Sequence, residues 1–188
     1  MNDDNLDIGP SLLAPGAPPR PDKLARLLVW PLLLLLLVVM LVFYVFYAPL
    51  RVAGDSMQPS LHDGDRALRT KSYESPHRGD IVIVDVRTPA EDDDIVKRIV
   101  ALPGDTVEIR DDIALVNGVA ESITHIAVVP GTGVYRKPEV VPDGMVYVLG
   151  DNRPVSLDSR YIGVLPLSKI RGRVTFLFLP PDRFGPAH

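Results

Sequence analysis

The sequence predicts a mainly β fold of short antiparallel strands, preceded by one transmembrane helix. Three observations carry this expectation. A charge-free apolar run extends from Leu27 to Leu50, short β-branched runs punctuated by Gly, Pro and Asp follow Arg51, and no helical period of useful length competes in that second part.

Residues 1–26 read as a disordered tail. The first 22 hold five prolines (Pro10, Pro15, Pro18, Pro19, Pro21), two glycines and scattered Asp, which together bury too little apolar surface to offset chain entropy. A transmembrane helix is expected over 27–48, since at about 1.5 Å per residue this stretch crosses a hydrocarbon core roughly 30 Å thick. Pro31 falls in its first turns, where a missing N–H is tolerated, and Trp30, Tyr44 and Tyr47 suit the two interfaces. A cleavable signal peptide would have a shorter apolar core leading into small residues. Here the exit is Phe46-Tyr47-Ala48-Pro49, so a retained anchor is expected. Arg20, Lys23 and Arg26 precede the span and only Arg51 closely follows it, which by the positive-inside rule puts the tail in the cytoplasm and residues 49–188 outside.

The outer part has room for one domain of ordinary size, about 138 residues from Arg51. Strands are expected at Asp80–Val86, Ile95–Leu102, Thr106–Ile109, Ile113–Gly118, Gly144–Leu149 and Val174–Leu179, a spacing that suits a sandwich or barrel-like domain. Val174–Leu179 is too short to cross a bilayer and reads as a buried strand. The acidic run Glu91-Asp92-Asp93-Asp94 and the Gly- and Pro-containing stretch Ala127–Pro142 read as surface loops, with a small β extension expected around 106–145.

Composition excludes several classes. A net charge of -4 and no Lys/Arg cluster longer than two argue against nucleic acid as a partner, because phosphate neutralisation needs a concentrated basic surface. With no cysteine there is neither thiol catalysis nor a cysteine-ligated metal, and no cofactor is implied.

Two residues stand out for chemistry. Ser56 lies in Val52-Ala53-Gly54-Asp55-Ser56-Met57-Gln58-Pro59-Ser60-Leu61, a turn-forming stretch just after the anchor, and Gly54 permits close approach of a substrate backbone. A serine hydroxyl needs a base. His62, His77, His125 and His188 stand in loop-like, polar or terminal contexts, whereas a lysine can serve if desolvation or nearby cations favour its neutral amine. Lys97 would lie between Ile95 and Ile99 on one strand face, with Arg98 on the other face but near enough to disfavour a second charge. Taken alone, each segment reads more simply as an ordinary surface serine or a snorkelling lysine. A third segment, Gly150-Asp151-Asn152-Arg153-Pro154-Val155-Ser156-Leu157-Asp158-Ser159-Arg160-Tyr161-Ile162-Gly163, has the density of short polar residues that suits a buried loop supporting a site.

In this order the segments resemble the sequence boxes of bacterial type I signal peptidases, membrane-bound Ser-Lys proteases that remove signal peptides from exported proteins. Ser56-Met57-Gln58-Pro59-Ser60-Leu61 resembles the nucleophile box and Arg78-Gly79-Asp80-Ile81-Val82 the strand box after it. Lys97-Arg98-Ile99-Val100-Ala101-Leu102-Pro103-Gly104-Asp105 is similar to the general-base box, and Gly150–Gly163 to the final one. The resemblance implies that Ser56 is the nucleophile, Lys97 the base, Ser156 a residue that orients the amine, Asp158 and Arg160 a supporting ion pair, and Met57 part of the pocket edge. Some members carry a serine two residues before the nucleophile as an oxyanion donor; this chain has Gly54, so backbone N–H groups at Gly54 and Ser56 are expected to take over. The short Lys97–Gly150 connection matches the compact members. The implied partners are secretory preproteins with small residues at -3 and -1, and membrane lipid. A related Ser-Lys protease with a different or self substrate, as among self-cleaving repressor proteases, and a non-catalytic peptide-binding β module are the alternatives.

Overall fold

The computed structural model describes residues 23–86, 94–122, 124, 126–131 and 133–187. The first 22 residues of the expected tail, residues 91–93 of the acidic run, His125 and His188 lie outside the described residues. The chain divides into two units, Met1–Leu41 and Val42–His188.

Helix α1 runs Lys23–Phe46 and contains Pro31. Its stretch Leu27–Phe46 is 20 residues of mean hydropathy 2.9 with none of it buried, enough at about 1.5 Å per residue to cross a bilayer core. The helix starts four residues before the expected Leu27, so the tail does not reach residue 26. It stops two residues before the expected Ala48. The residue preceding a proline is pushed out of the helical region, and Ala48 precedes Pro49. Two carbonyls of the last turn are satisfied by Lys71, whose backbone N–H donates to Phe46 O at 2.9 Å and whose Nζ donates to Tyr44 O at 2.5 Å.

Among the described residues the second unit holds twelve strands: β1 Tyr47–Arg51, β2 Arg66–Thr70, β3 Ile81–Asp85, β4 Asp94–Ala101, β5 Thr106–Arg110, β6 Ile113–Val116, β7 Val119–Ala120, β8 Arg136–Val140, β9 Met145–Leu149, β10 Leu165–Pro166, β11 Ile170–Leu179 and β12 Gly185–Pro186. Seven of them lie side by side as β1-β2-β11-β3-β4-β9-β10, with β12 added on β11, and a smaller sheet runs β7-β6-β5-β8. Every pairing between these strands is antiparallel, as expected of a mainly β domain.

Strand β3 is buried at all five positions because both faces of the large sheet are covered. Ile81 and Ile83 join Val52, Met57, Leu61, Ala67, Val174 and Leu177 on one side. Val82 and Val84 join Val86, Ile99, Val146 and Val148 on the other. The small sheet buries Val107, Ile109, Ala114 and Val116 against Val100, Ala101, Tyr147 and Leu149, at the ends of β4 and β9. The chain therefore leaves the large sheet after β4, builds the small one, and returns as β9 beside β4.

Asp105 sits at that exit. Its carboxylate accepts from Arg78 Nε at 2.8 Å, Leu102 N at 2.8 Å and Asn117 Nδ2 at 3.0 Å, tying the approach to β3 to the β6–β7 turn. Burial pushes its pKa up, but Arg78, the Leu102 N–H and Asn117 together outweigh burial and hold it below the ordinary carboxylate value. A depressed folded-state pKa contributes stability that is complete above the unfolded value, about 3.9, and is lost as pH falls through the folded one. Asp105→Asn should therefore destabilise the domain by about 1–3 kcal/mol at pH 7. The gap to the unsubstituted protein should narrow below about pH 4 in urea titrations followed by near-UV circular dichroism.

Candidate active site

The segment after β1 turns sharply at Gly54, whose φ of +80° is cheap only for glycine. Its N–H donates to Asp63 Oδ1 at 2.9 Å, Gln58 N donates to Asp55 O at 3.1 Å and Leu61 N to Met57 O at 2.9 Å. Met57 and Leu61, each 1% exposed, press this turn into the core beneath it. Ser56 is left partly exposed at the floor of an open cleft of about 570 Å³, whose walls include Leu50, Ile83, Ile95, Val96, Val155 and Leu157.

Lys97 reaches the same floor from β4, paired with Val82 of β3 and only 3% exposed. Its Nζ donates to Ser56 Oγ at 2.8 Å. The two residues, 41 apart in sequence, are thus in direct contact. Ile95 and Ile99, two positions to either side in β4, pack with Val82 and Val84. Burial of this kind disfavours a charged group.

The charge of Arg98, expected to lie near enough to disfavour a second one at Lys97, is itself paired. Its guanidinium forks onto Asp151, Nε to Oδ1 at 2.8 Å and Nη2 to Oδ2 at 2.6 Å, and also donates to Gly79 O at 2.7 Å and Ser60 Oγ at 3.1 Å. The cation is matched by a buried anion.

The Gly150 segment leaves β9 and folds back over the turn of Ser56. Asn152 N donates to Ser56 O at 3.0 Å and Asn152 Nδ2 to Asp55 O at 3.1 Å, clamping the peptide units around the serine. Gly150 packs so closely that a Cβ there would stand 2.2 Å from Ser156 Oγ and 2.5 Å from Ser56 O. Asp158 caps the short helix α2, Ser159–Ile162, and accepts from Gly150 N at 3.0 Å. Arg160 forks onto Asp158, Nε to Oδ1 at 2.8 Å and Nη2 to Oδ2 at 2.9 Å, and donates to Asp112 Oδ1 at 2.5 Å. Burial works against this cation, but Asp158 and Asp112 outweigh it and hold the pKa of Arg160 above its ordinary value. Arg153 Nε donates to Gly150 O at 2.9 Å and Nη1 to Glu121 Oε1 at 2.6 Å. Two carboxylates of the small-sheet hairpin, Asp112 and Glu121, thereby neutralise two buried arginines of the loop.

The structure brings Ser56, Lys97 and the Gly150 segment together, and it departs from the expectations at three positions. Met57 is not at the pocket edge: it lies in the core under the turn, because its neighbour Ser56 takes the outward position. Gly54 is not an open backbone donor, since Asp63 holds its N–H; the Ser56 N–H makes no hydrogen bond among the described residues. Ser156 is buried beside Gly150, but among the described residues its hydroxyl has no hydrogen-bond partner, the Lys97 amine included. His62 stands against Arg183, and His77 donates its N–H to Asp80. Among the described residues no group of three His, Asp or Glu could hold a metal ion.

Comparison with known proteins points one way. The sequence model of the family described as "Signal peptidase, peptidase S26" matches residues 25–179. A signal peptidase I from Bacillus licheniformis is 37% identical over 147 residues, 71% of this chain and 77% of that protein. A signal peptidase IB from Staphylococcus aureus is 34% identical over 155 residues, 72% of this chain and 80% of that protein. A crystal structure of a signal peptidase I from Enterococcus faecalis is 36% identical and covers 55% of this chain and all of its own, with a TM-score of 0.46. The family match takes in Ser56, Lys97 and the whole Gly150–Gly163 loop, and by it the chain belongs to the signal peptidase family, peptidase S26.

Proposed function

We propose that this chain is a membrane-anchored serine endopeptidase that removes signal peptides from exported preproteins, with Ser56 as nucleophile and Lys97 as general base. The single observation that carries this is the 2.8 Å contact between a buried lysine amine and a partly exposed serine hydroxyl at the floor of an open cleft.

In this reading the neutral Lys97 amine takes the Ser56 hydroxyl proton as Oγ attacks the scissile carbonyl. The developing oxyanion is met by the Ser56 N–H, the backbone donor left open beside it. Collapse breaks the C–N bond, the Lys97 ammonium returns its proton to the departing amine, and an acyl-enzyme remains. Water, deprotonated by the same amine, releases the signal peptide and regenerates the serine. Asp158 and Arg160 keep the Gly150 loop in place, and Ser156, whose hydroxyl is unengaged, turns to the amine during the reaction. The precursor lies extended in the cleft through main-chain hydrogen bonds, with small residues at -3 and -1. Leu27–Phe46 is the retained anchor, residues before it face the cytoplasm, and the β domain works on the outer side against lipid.

Cleavage of a precursor carrying Ala-x-Ala by the detergent-solubilised protein, followed by mass analysis, tests the reading; products cut after the second Ala are expected, and an intact precursor overturns it. Ser56→Ala and Lys97→Arg should both reduce turnover to background with the fold intact by circular dichroism. The arginine variant is the sharper, because a guanidinium keeps its proton at any accessible pH and cannot accept one. Gly150→Ala should lower kcat/KM by about a hundredfold, since the added methyl must push aside either Ser156 or the Ser56 carbonyl, and displacements of this order at a reacting centre are that costly. Steady-state kinetics against the same precursor would show it.

A further inference from the structure

The turn that carries Ser56 belongs to no strand, yet its hydroxyl has to stay within hydrogen-bond reach of Lys97. On one side Asn152 and Gly150 hold it. On the other side stands Arg183, in the segment after β11 and beyond residue 179, where the family match ends. Arg183 Nη2 donates to Ser60 O at 2.6 Å and to Pro59 O at 3.4 Å. Its Nη1 donates to Asp65 Oδ2 at 2.5 Å and to His62 Nδ1. Asp65, 3% exposed, also takes the His62 N–H at 2.8 Å, and its own carbonyl accepts from Val52 N at 2.8 Å.

One guanidinium therefore ties together both limbs of the 52–65 segment: the carbonyls directly downstream of the serine, and the carboxylate that closes the segment's far end back onto Val52. The arm presenting it is itself fixed. Arg183 N donates to Pro180 O at 3.1 Å, Phe184 packs edge-on against Phe176 with ring centres 4.8 Å apart, and β12 pairs with β11. Arg183 is not among the residues that line the cleft.

From this we infer that Arg183 is a positioning residue for the reaction: it holds the Ser56 turn so that Oγ stays within reach of the Lys97 amine. The inference rests on Ser56 being the nucleophile. Loss of its contacts misplaces the nucleophile while the strand-borne walls of the cleft, Ile83, Ile95 and Val96, stay in place, so the loss falls mainly on kcat rather than on KM. A lysine in its place offers a single ammonium, which cannot serve two carbonyls and a carboxylate in a fork.

The surface hollow around Arg183, bounded by His62, Asp65, Arg66 and Pro180, is open to solvent, so a small guanidinium salt can enter once the side chain is removed. The test uses the full chain in detergent, with active sites titrated by a serine-acylating reagent and turnover measured on an Ala-x-Ala precursor. Arg183→Ala should lower kcat about tenfold with KM within about twofold, and Arg183→Lys should recover only part of the loss. Millimolar methylguanidinium should raise kcat of the alanine variant and leave the unsubstituted enzyme unchanged. An alanine variant with unaltered kcat overturns the inference. So does a loss that methylguanidinium does not relieve, or one that falls on KM. Should the alanine variant fail to fold, Arg183→Lys decides alone: unchanged kcat in a folded lysine variant overturns the inference. If the unsubstituted protein neither cleaves the precursor nor is acylated at Ser56, it is the proposed function that fails.

Discussion

A lysine amine almost wholly buried beside a serine hydroxyl is the constraint on which this domain turns. Burying such a group is costly while it is charged, and the cost falls only if the amine gives up its proton or finds partners. The fold meets this requirement by setting Lys97 in β4, flanked by β3 and β9 in the large sheet, where pairing on both edges leaves the backbone no freedom to carry the side chain outward. The serine is delivered separately, on a turn pressed into the core by Met57 and Leu61 and stitched to the Gly150 loop by Asn152.

The polar surroundings of that pair are ordered by a simple rule: each buried cation has its own anion. Arg98 has Asp151, Arg160 has Asp158 and Asp112, and Arg153 has Glu121. Exposed ion pairs contribute little, but these are buried, and removing one partner strands the other in a low-dielectric interior. Such pairs therefore act more as registers than as glue. They fix where the Gly150 loop lies, and two of the anions come from the small sheet. That sheet is thus joined to the Gly150 loop by charge as well as to the large sheet by its apolar contact with Tyr147 and Leu149.

The strands that could be read in the sequence were the β-branched ones, which became β3, β4, β5, β6, β9 and β11. Those that could not be read are held by pairing rather than by burial. Strand β8, Arg-Lys-Pro-Glu-Val, is exposed at all five positions, β2 alternates weakly among three polar residues, and β7, β10 and β12 are two residues long. At the site, Ser56 and Lys97 were visible because residue type limits which groups can act as nucleophile and base. The burial of Met57 was not, since within a turn no periodicity says which neighbour faces inward. Asn152 and Arg183 were equally hidden: one side chain contacting a carbonyl about a hundred residues away leaves no local pattern.

Strand β11 lies between β2 and β3 and pairs with both, although about a hundred residues of chain separate it from them. Pairings so distant in sequence form slowly, because a long loop must close before any contact rewards it. During synthesis the large sheet stays split in two, with the turn of Ser56 beside one half and Lys97 in the other, until the ribosome has released residue 179. The order of the strands therefore works as a timer: Ser56 and Lys97 are made early, but the two halves of the sheet beside them are joined only once β11 has been made.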